Sequence, residues 1–103
     1  MQSVSPYTVS IETKVIDQVY QRISAYPWDS LVSVDGWDYG SDPSYMKELC
    51  EYWVNDFDWL KQEEKINKFD HYKTSIENVD IHFIYEKGSG DSHTPLIISH
   101  GWP

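Results

Sequence analysis

Hydrophobic residues recur at helical spacing in three stretches of the first two thirds of the chain. In residues 13–25, apolar side chains return every three or four positions, and charged or amide side chains occupy the opposite face. Residues 43–55 repeat the pattern, with Asp42 before them as an N-cap and a proline at the first helical position. Asp58 is placed to cap a third stretch, residues 59–67. The pattern therefore predicts three amphipathic helices.

After the third helix the period of the apolar residues changes to two, which is typical of strands. Two alternating runs, 72–76 and 79–85, are separated by residues 77–78 and predict a β-hairpin with a two-residue turn. A short alternating segment at 7–11 predicts a strap or edge strand before the first helix. An apolar run at 95–99 predicts a final strand.

This order predicts an α+β fold in one domain, with a strap and three helices packed on a short antiparallel hairpin. We assign residues 1–69 to the helical part, 70–99 to the hairpin and first sheet strands, and 100–103 to a turn. A chain of 103 residues is long enough for one core and too short for a separate catalytic module.

Composition and charge narrow the classes of partner. The chain is 40% hydrophobic and 16% aromatic, which excludes a disordered tail. Its net charge is -9, and residues 28–60 carry eight acidic residues against Lys47 alone. Such a surface repels phosphate backbones and anionic lipids, so the charge predicts no nucleic-acid partner and favours a neutral or cationic one.

The sequence also predicts a soluble, cytoplasmic protein. Cys50 is the only cysteine, which excludes an intrachain disulfide, and its place in a helical stripe predicts a small buried hydrophobe. No apolar run approaches the roughly 20 residues of a membrane span, and the first residues lack the pattern of a signal peptide.

Histidines and carboxylates lie close in sequence at two places, Asp80 with His82 and Asp91 with His93. Residues i and i+2 of a strand share a face, and we interpret these as solvated polar positions in preference to a metal site. His71, like His82, has no partner at ligand spacing.

Two other patterns also have structural explanations. Gly88-Ser89-Gly90 is interpreted as a linker, because it lacks the G-x-S-x-G pattern and precedes the strand that it would have to follow. The acidic cluster Asp29, Asp35, Asp38 and Asp42 lacks the spacing and the final Glu of an EF-hand loop. The sequence thus predicts no metal and no cofactor.

The last four residues, His100, Gly101, Trp102 and Pro103, follow directly on the apolar run. The glycine permits close approach of the backbone, and the proline fixes the direction in which the chain leaves. A backbone N–H in such a turn can be aimed at an oxygen that becomes negative in a reaction. The segment resembles the oxyanion-hole segment of α/β-hydrolases, with the tryptophan that is found in epoxide hydrolases.

Further short motifs precede this segment in an order and spacing that are specific together. They are Pro6-Tyr7, Tyr26-Pro27-Trp28, Gly36-Trp37-Asp38-Tyr39-Gly40, Tyr52-Trp53, Phe57-Asp58-Trp59, Gln62-Glu63 with Asn67, and Ile81-His82-Phe83-Ile84-Tyr85-Glu86. From Tyr7 to Pro103 the chain resembles the N-terminal region of microsomal-type epoxide hydrolases.

The resemblance implies the hydrolysis of an epoxide to a vicinal diol through an ester on an Asp, with a His and an acidic residue activating water. Those residues and the cap tyrosines would lie beyond Pro103, so the isolated chain is expected to be inactive. The backbone N–H of Trp102 would contribute to the oxyanion hole, and His100 and Gly101 would shape the turn. The expected partners are the remainder of the hydrolase core and cap, in the same chain or a separate one, and an epoxide only in the complete enzyme.

The resemblance also implies that the helices wrap around the core and that the hairpin supplies the first two strands of its sheet. Five residues would then be packing anchors: Trp28, Trp37, Tyr39, Trp53 and Trp59. A later strand would separate the hairpin from the run at 95–99, so the fold is expected to be truncated. Roughly 5 to 9 kcal/mol of burial by Leu96, Ile97 and Ile98 would then go unrealised. Residues 94–103 should therefore be poorly held in the isolated chain, or rest in a position that differs from that in the family.

Two functions of other classes stay open. One is a stand-alone interaction module that uses the acidic, aromatic-rich surface of residues 28–59, for which a large exposed apolar face is the expected sign. The other is a small protein whose Trp and Tyr side chains stack on a ligand.

Overall fold

The computed structural model describes residues 3–32, 36–91 and 94–102. Asp35, His93 and Pro103, which the sequence analysis singled out, lie outside these residues. The chain forms two compact units, one from Thr8 to Lys68 and one that joins the residues up to Tyr7 with those from Phe69 onward. The first is called the helical unit here and the second the sheet unit.

The helical unit confirms the three predicted helices. The bounds are α1 Thr13–Ser24, α2 Pro43–Asn55 and α3 Trp59–Ile66, with a 3-10 turn at Trp28–Ser30. The first and third helices each end one residue earlier than predicted. None of the helices among the described residues is long and apolar enough to cross a membrane.

Both predicted N-caps are present. The Asp42 side chain accepts hydrogen bonds from the backbone N–H groups of Ser44 and Tyr45, at 2.8 and 3.4 Å. The Asp58 side chain accepts from the backbone N–H of Lys61 at 3.2 Å. That hydrogen bond holds the pKa of the Asp58 carboxyl below its usual range. The Lys61 ammonium also lies 3.4 Å from the same carboxylate.

Residues 8–11, called the strap here, contain no helix or strand and are tied to α3 and its C-cap by side chains. The Asn67 amide accepts from the Val9 N–H at 2.9 Å and donates to the Val9 carbonyl at 2.7 Å. One Glu63 oxygen accepts from the Ile11 N–H at 2.8 Å and from the Trp59 indole at 3.2 Å. The strap thus gains from side chains the hydrogen bonds that a neighbouring strand would supply.

The sheet unit contains three antiparallel strands in the order β1-β2-β3, namely β1 Ser5–Pro6, β2 His71–Ile76 and β3 Val79–Ile84. The predicted hairpin is confirmed, and its turn residues Glu77 and Asn78 have φ of 50° and 65°. Two successive positive φ values are those of a type I′ turn. The edge strand lies at Ser5–Pro6, immediately before the alternating segment 7–11, for which a strap or edge strand was predicted.

The predicted strand at 95–99 does not form. Residues 94–102 contain no helix or strand, and the side chains of Leu96, Ile97 and Ile98 are exposed, Ile97 to 94%. A lone strand leaves its backbone N–H and C=O groups without partners, so the apolar run needs a neighbour that this sheet does not provide.

Candidate functional site

The oxyanion-type segment is exposed in this structure. The Trp102 side chain is 96% exposed, and a Cβ added at Gly101 would meet no atom within 4 Å. The His100 ring Nδ1 lies 2.8 Å from the Gly101 carbonyl oxygen, a contact within the segment itself. The described residues therefore place no pocket wall against this segment.

Two histidines for which sequence analysis predicted no contact with each other lie side by side in the sheet unit. The His71 Nδ1 and His82 Nε2 atoms are 2.9 Å apart, and the two rings stack with centroids 5.1 Å apart. His71 is 5% exposed and is the one buried side chain among the described residues. The signal that could have found this pair is the hairpin register, since His82 lies opposite Lys73 and so diagonally next to His71.

The pair continues into a line of aromatic and charged groups across the sheet. The Tyr7 ring meets the His82 ring edge-on at 5.2 Å, and the Lys73 ammonium lies 3.9 Å from the centre of the Tyr7 ring. One imidazole must donate its N–H and the other must accept it. The described residues hold no group of three His, Cys, Asp or Glu suited to a metal ion, and the arrangement is one that stabilises strand pairing.

The helical unit contains two clefts with mainly apolar linings. One of about 210 Å³ lies between the strap, α1 and α3, and its lining includes Tyr20, Trp59 and Leu60. The other, of about 580 Å³, lies between α1 and α2, with Trp28 and Cys50 in its lining. Cys50 is half-buried there, less than the predicted buried position. Such linings suit packing better than proton transfer.

The five predicted packing anchors divide into two groups. Trp28 and Trp59 are half-buried within the helical unit, and Trp28 contacts Tyr26 with ring centroids 4.5 Å apart. Trp37, Tyr39 and Trp53 leave much of their rings exposed, Tyr39 to 90%. The described chain thus gives three of its large aromatic side chains little to pack against.

Comparison with known proteins gives consistent matches. A profile of the family described as "Epoxide hydrolase N terminus" matches residues 4–103. The chain is 39% identical to epoxide hydrolase 1 of Sus scrofa over 99% of its own length and 23% of that protein. It is 33% identical to juvenile hormone epoxide hydrolase of Manduca sexta over 98% of its length and 23% of that protein.

Solved structures show the same fold. The crystal structure of juvenile hormone epoxide hydrolase from the silkworm Bombyx mori matches with a TM-score of 0.72 at 21% identity, over 82% of this chain and 20% of that one. The Aspergillus niger epoxide hydrolase matches with a TM-score of 0.66 at 26% identity, over 80% and 22%.

The helices and antiparallel sheet are thus those found in epoxide hydrolases of the α/β-hydrolase class. Within that class, the chain belongs to the family described as epoxide hydrolase N terminus. It spans about 23% of the length of these curated relatives.

Proposed function

We propose that this chain acts as the N-terminal region of an epoxide hydrolase and works only with a hydrolase body. The body, in the same chain or a separate one, supplies the nucleophilic Asp, the acidic residue and the His that turn an epoxide into a vicinal diol. The observation that carries this proposal is burial: no apolar side chain among the described residues is buried, although the helices and hairpin are formed.

The energetic argument follows from that burial pattern. Complete burial of a Leu or Ile side chain stabilises a protein by about 1.5 to 3 kcal/mol, and small domains are stable by only about 5 to 15 kcal/mol. Leu96, Ile97 and Ile98 make no such contribution here. A hydrolase body that covers these side chains supplies stabilisation comparable with that of a whole small domain.

In the complete enzyme, we assign the backbone N–H of Trp102 to the oxyanion hole. His100 and Gly101 precede it in a turn whose neighbouring space is open, since a Cβ at Gly101 meets no atom within 4 Å. An approaching substrate oxygen would therefore meet backbone instead of a side chain. The exposed Trp102 ring is free to pack on the body.

The proposal is tested by a graft. This chain replaces the matching segment of the Sus scrofa epoxide hydrolase 1, with which it shares 39% identity, and the product is assayed with an epoxide that the unaltered enzyme hydrolyses. We expect diol formation by the graft and none by the 103-residue chain alone. A folded graft without activity, or an active isolated chain, would contradict the proposal.

The oxyanion assignment predicts a particular effect of Trp102→Pro in that graft. Proline has no backbone N–H, so kcat should fall by about 10² to 10³-fold, as when one oxyanion-hole donor is removed. Trp102→Phe is the matched control, because it keeps the N–H and an aromatic ring and should retain kcat. A Trp102→Pro graft that melts normally and has normal kcat would remove the assignment.

A further inference from the structure

Helix α2 has two apolar faces, and among the described residues only one of them lines the grooves to α1. Met46, Cys50 and Val54 are half-buried along one side of the helix. They line the grooves that α2 forms with α1, where Ile23 is the facing residue. This side accounts for the packing of α2 on α1.

The second face lies beside the first. At 100° per residue, Tyr45, Leu49, Tyr52 and Trp53 fall within an arc of about 100°. Their side chains are between 39% and 53% exposed. The face is extended at its start by Trp37, whose ring lies 5.4 Å from that of Tyr45. We call these five residues the α2 aromatic face.

The charged residues that adjoin this face along the chain and along the helix are acidic. Asp38 adjoins Trp37 in sequence, Glu48 lies between Tyr45 and Tyr52 on the helix surface, and Asp56 follows Tyr52 by four residues. The nearest lysine in sequence, Lys47, lies on the other side of the helix, in a groove with Tyr26 and Asp29. The rim of the α2 aromatic face is therefore acidic.

The acidic rim restricts what can cover the face. A second copy of this face would bring like charges together, and an anionic lipid surface would be repelled. Arginine suits the site because its guanidinium pairs with carboxylates and stacks on Tyr and Trp rings. Trp and Tyr are also the residues that carry most of the binding energy in interfaces, together with Arg.

We propose that the α2 aromatic face docks an apolar polypeptide surface whose rim carries arginine or lysine. The proposal rests on the proposed function, in which the hydrolase body supplies that surface. Beyond the proposed function, the docking proposal specifies which face of the helical unit the partner covers and the sign of the partner's charge.

The test uses the 103-residue chain and two synthetic amphipathic helical peptides with the same leucine face, one flanked by arginine and the other by glutamate. Binding is followed by tryptophan emission, since Trp37 and Trp53 lie on the face. We expect the arginine peptide to bind and its Kd to rise about tenfold between about 50 and 500 mM NaCl. The glutamate peptide should not bind.

Two pairs of variants locate the site. Glu48→Gln should raise the Kd of the arginine peptide several-fold. Glu51→Gln should leave this Kd unchanged, because Glu51 lies with Val54 on the groove side of the same helix. Tyr52→Ala should abolish binding, whereas Tyr26→Ala, beside the groove to α1, should not. Circular dichroism of each variant checks that the helices are retained.

Several results would overturn the proposal: no binding of the arginine peptide, equal binding of both peptides, equal effects of Glu48→Gln and Glu51→Gln, or self-association of the chain that Tyr52→Ala removes. The last would assign the face to a second copy. An active graft with no peptide binding would remove this inference and leave the proposed function standing. Peptide binding together with a folded but inactive graft would remove the proposed function and leave the binding of this face to a basic, apolar surface standing.

Discussion

Single side chains make the hydrogen bonds that hold the strap of the helical unit. The Asn67 side chain hydrogen-bonds both the N–H and the carbonyl of Val9, as a neighbouring strand would. The Glu63 carboxylate accepts hydrogen bonds from the Ile11 N–H and from the Trp59 indole. These polar residues are among those that carry the resemblance to epoxide hydrolases, and the structure gives them a structural role. Sequence periodicity could not reveal them, because they connect the strap with a helix more than 50 residues away.

Asn67 gives the sharpest prediction at this scale. Asn67→Asp keeps an acceptor for the Val9 N–H but loses the donor to the Val9 carbonyl, so it should destabilise the chain by about 1 to 3 kcal/mol. Asn55→Asp is the control, since the Asn55 amide makes one exposed hydrogen bond within α2 and its loss should cost less. Urea unfolding followed by tryptophan emission measures both. Equal losses would show that the strap is not held by Asn67.

Asp58 predicts a dependence on pH. Its pKa is lowered by the backbone N–H of Lys61, so its stabilising contribution is present above the ordinary aspartate pKa of about 3.9 and is lost as pH falls through the lowered value. Asp58→Asn keeps an N-cap acceptor that does not titrate. The gap in unfolding midpoint between the native chain and this variant should therefore narrow from pH 5 to pH 2. A constant gap would contradict the assignment.

At the scale of elements, short sequence signals were sufficient to predict a helix or a hairpin that is stabilised by its own residues. Asp42 and Asp58 mark helix starts because each caps nearby N–H groups, and the change to a period of two after α3 marks the hairpin. The apolar run at 95–99 forms no strand among the described residues, because a strand exists only with a neighbour and an apolar run does not say where the neighbour is. The contact between His71 and His82 followed from the hairpin register, which the sequence already contained.

The turn of the hairpin offers a stabilising substitution. Glu77 has φ of 50°, a left-handed conformation that disfavours most side chains and that asparagine tolerates. Glu77→Asn should stabilise the hairpin by about 0.5 to 1 kcal/mol. Glu77→Gln removes the same charge but does not favour the left-handed conformation, so it should leave the stability of the hairpin unchanged. Amide exchange of β2 and β3 distinguishes the two, and equal protection would mean that the turn is not strained.

At the scale of the whole molecule, the three predicted helices and the predicted hairpin are present, but the described residues bury no apolar side chain. The resemblance implies that Trp37, Tyr39 and Trp53 are packing anchors, and this stays a prediction. A pattern along the chain gives the type of a side chain but not the surface that it meets, and among the described residues these three side chains stay 41% to 90% exposed.

The most direct test of this account is amide hydrogen exchange of residues 94–102, compared between the 103-residue chain and the graft in the Sus scrofa enzyme. The account predicts rapid exchange at Ile97 and Ile98 in the isolated chain and strong protection in the graft, where a neighbouring strand becomes available. Strong protection in the isolated monomer would contradict it, because the segment would then have its own partner. Equally rapid exchange in a folded, active graft would also contradict it.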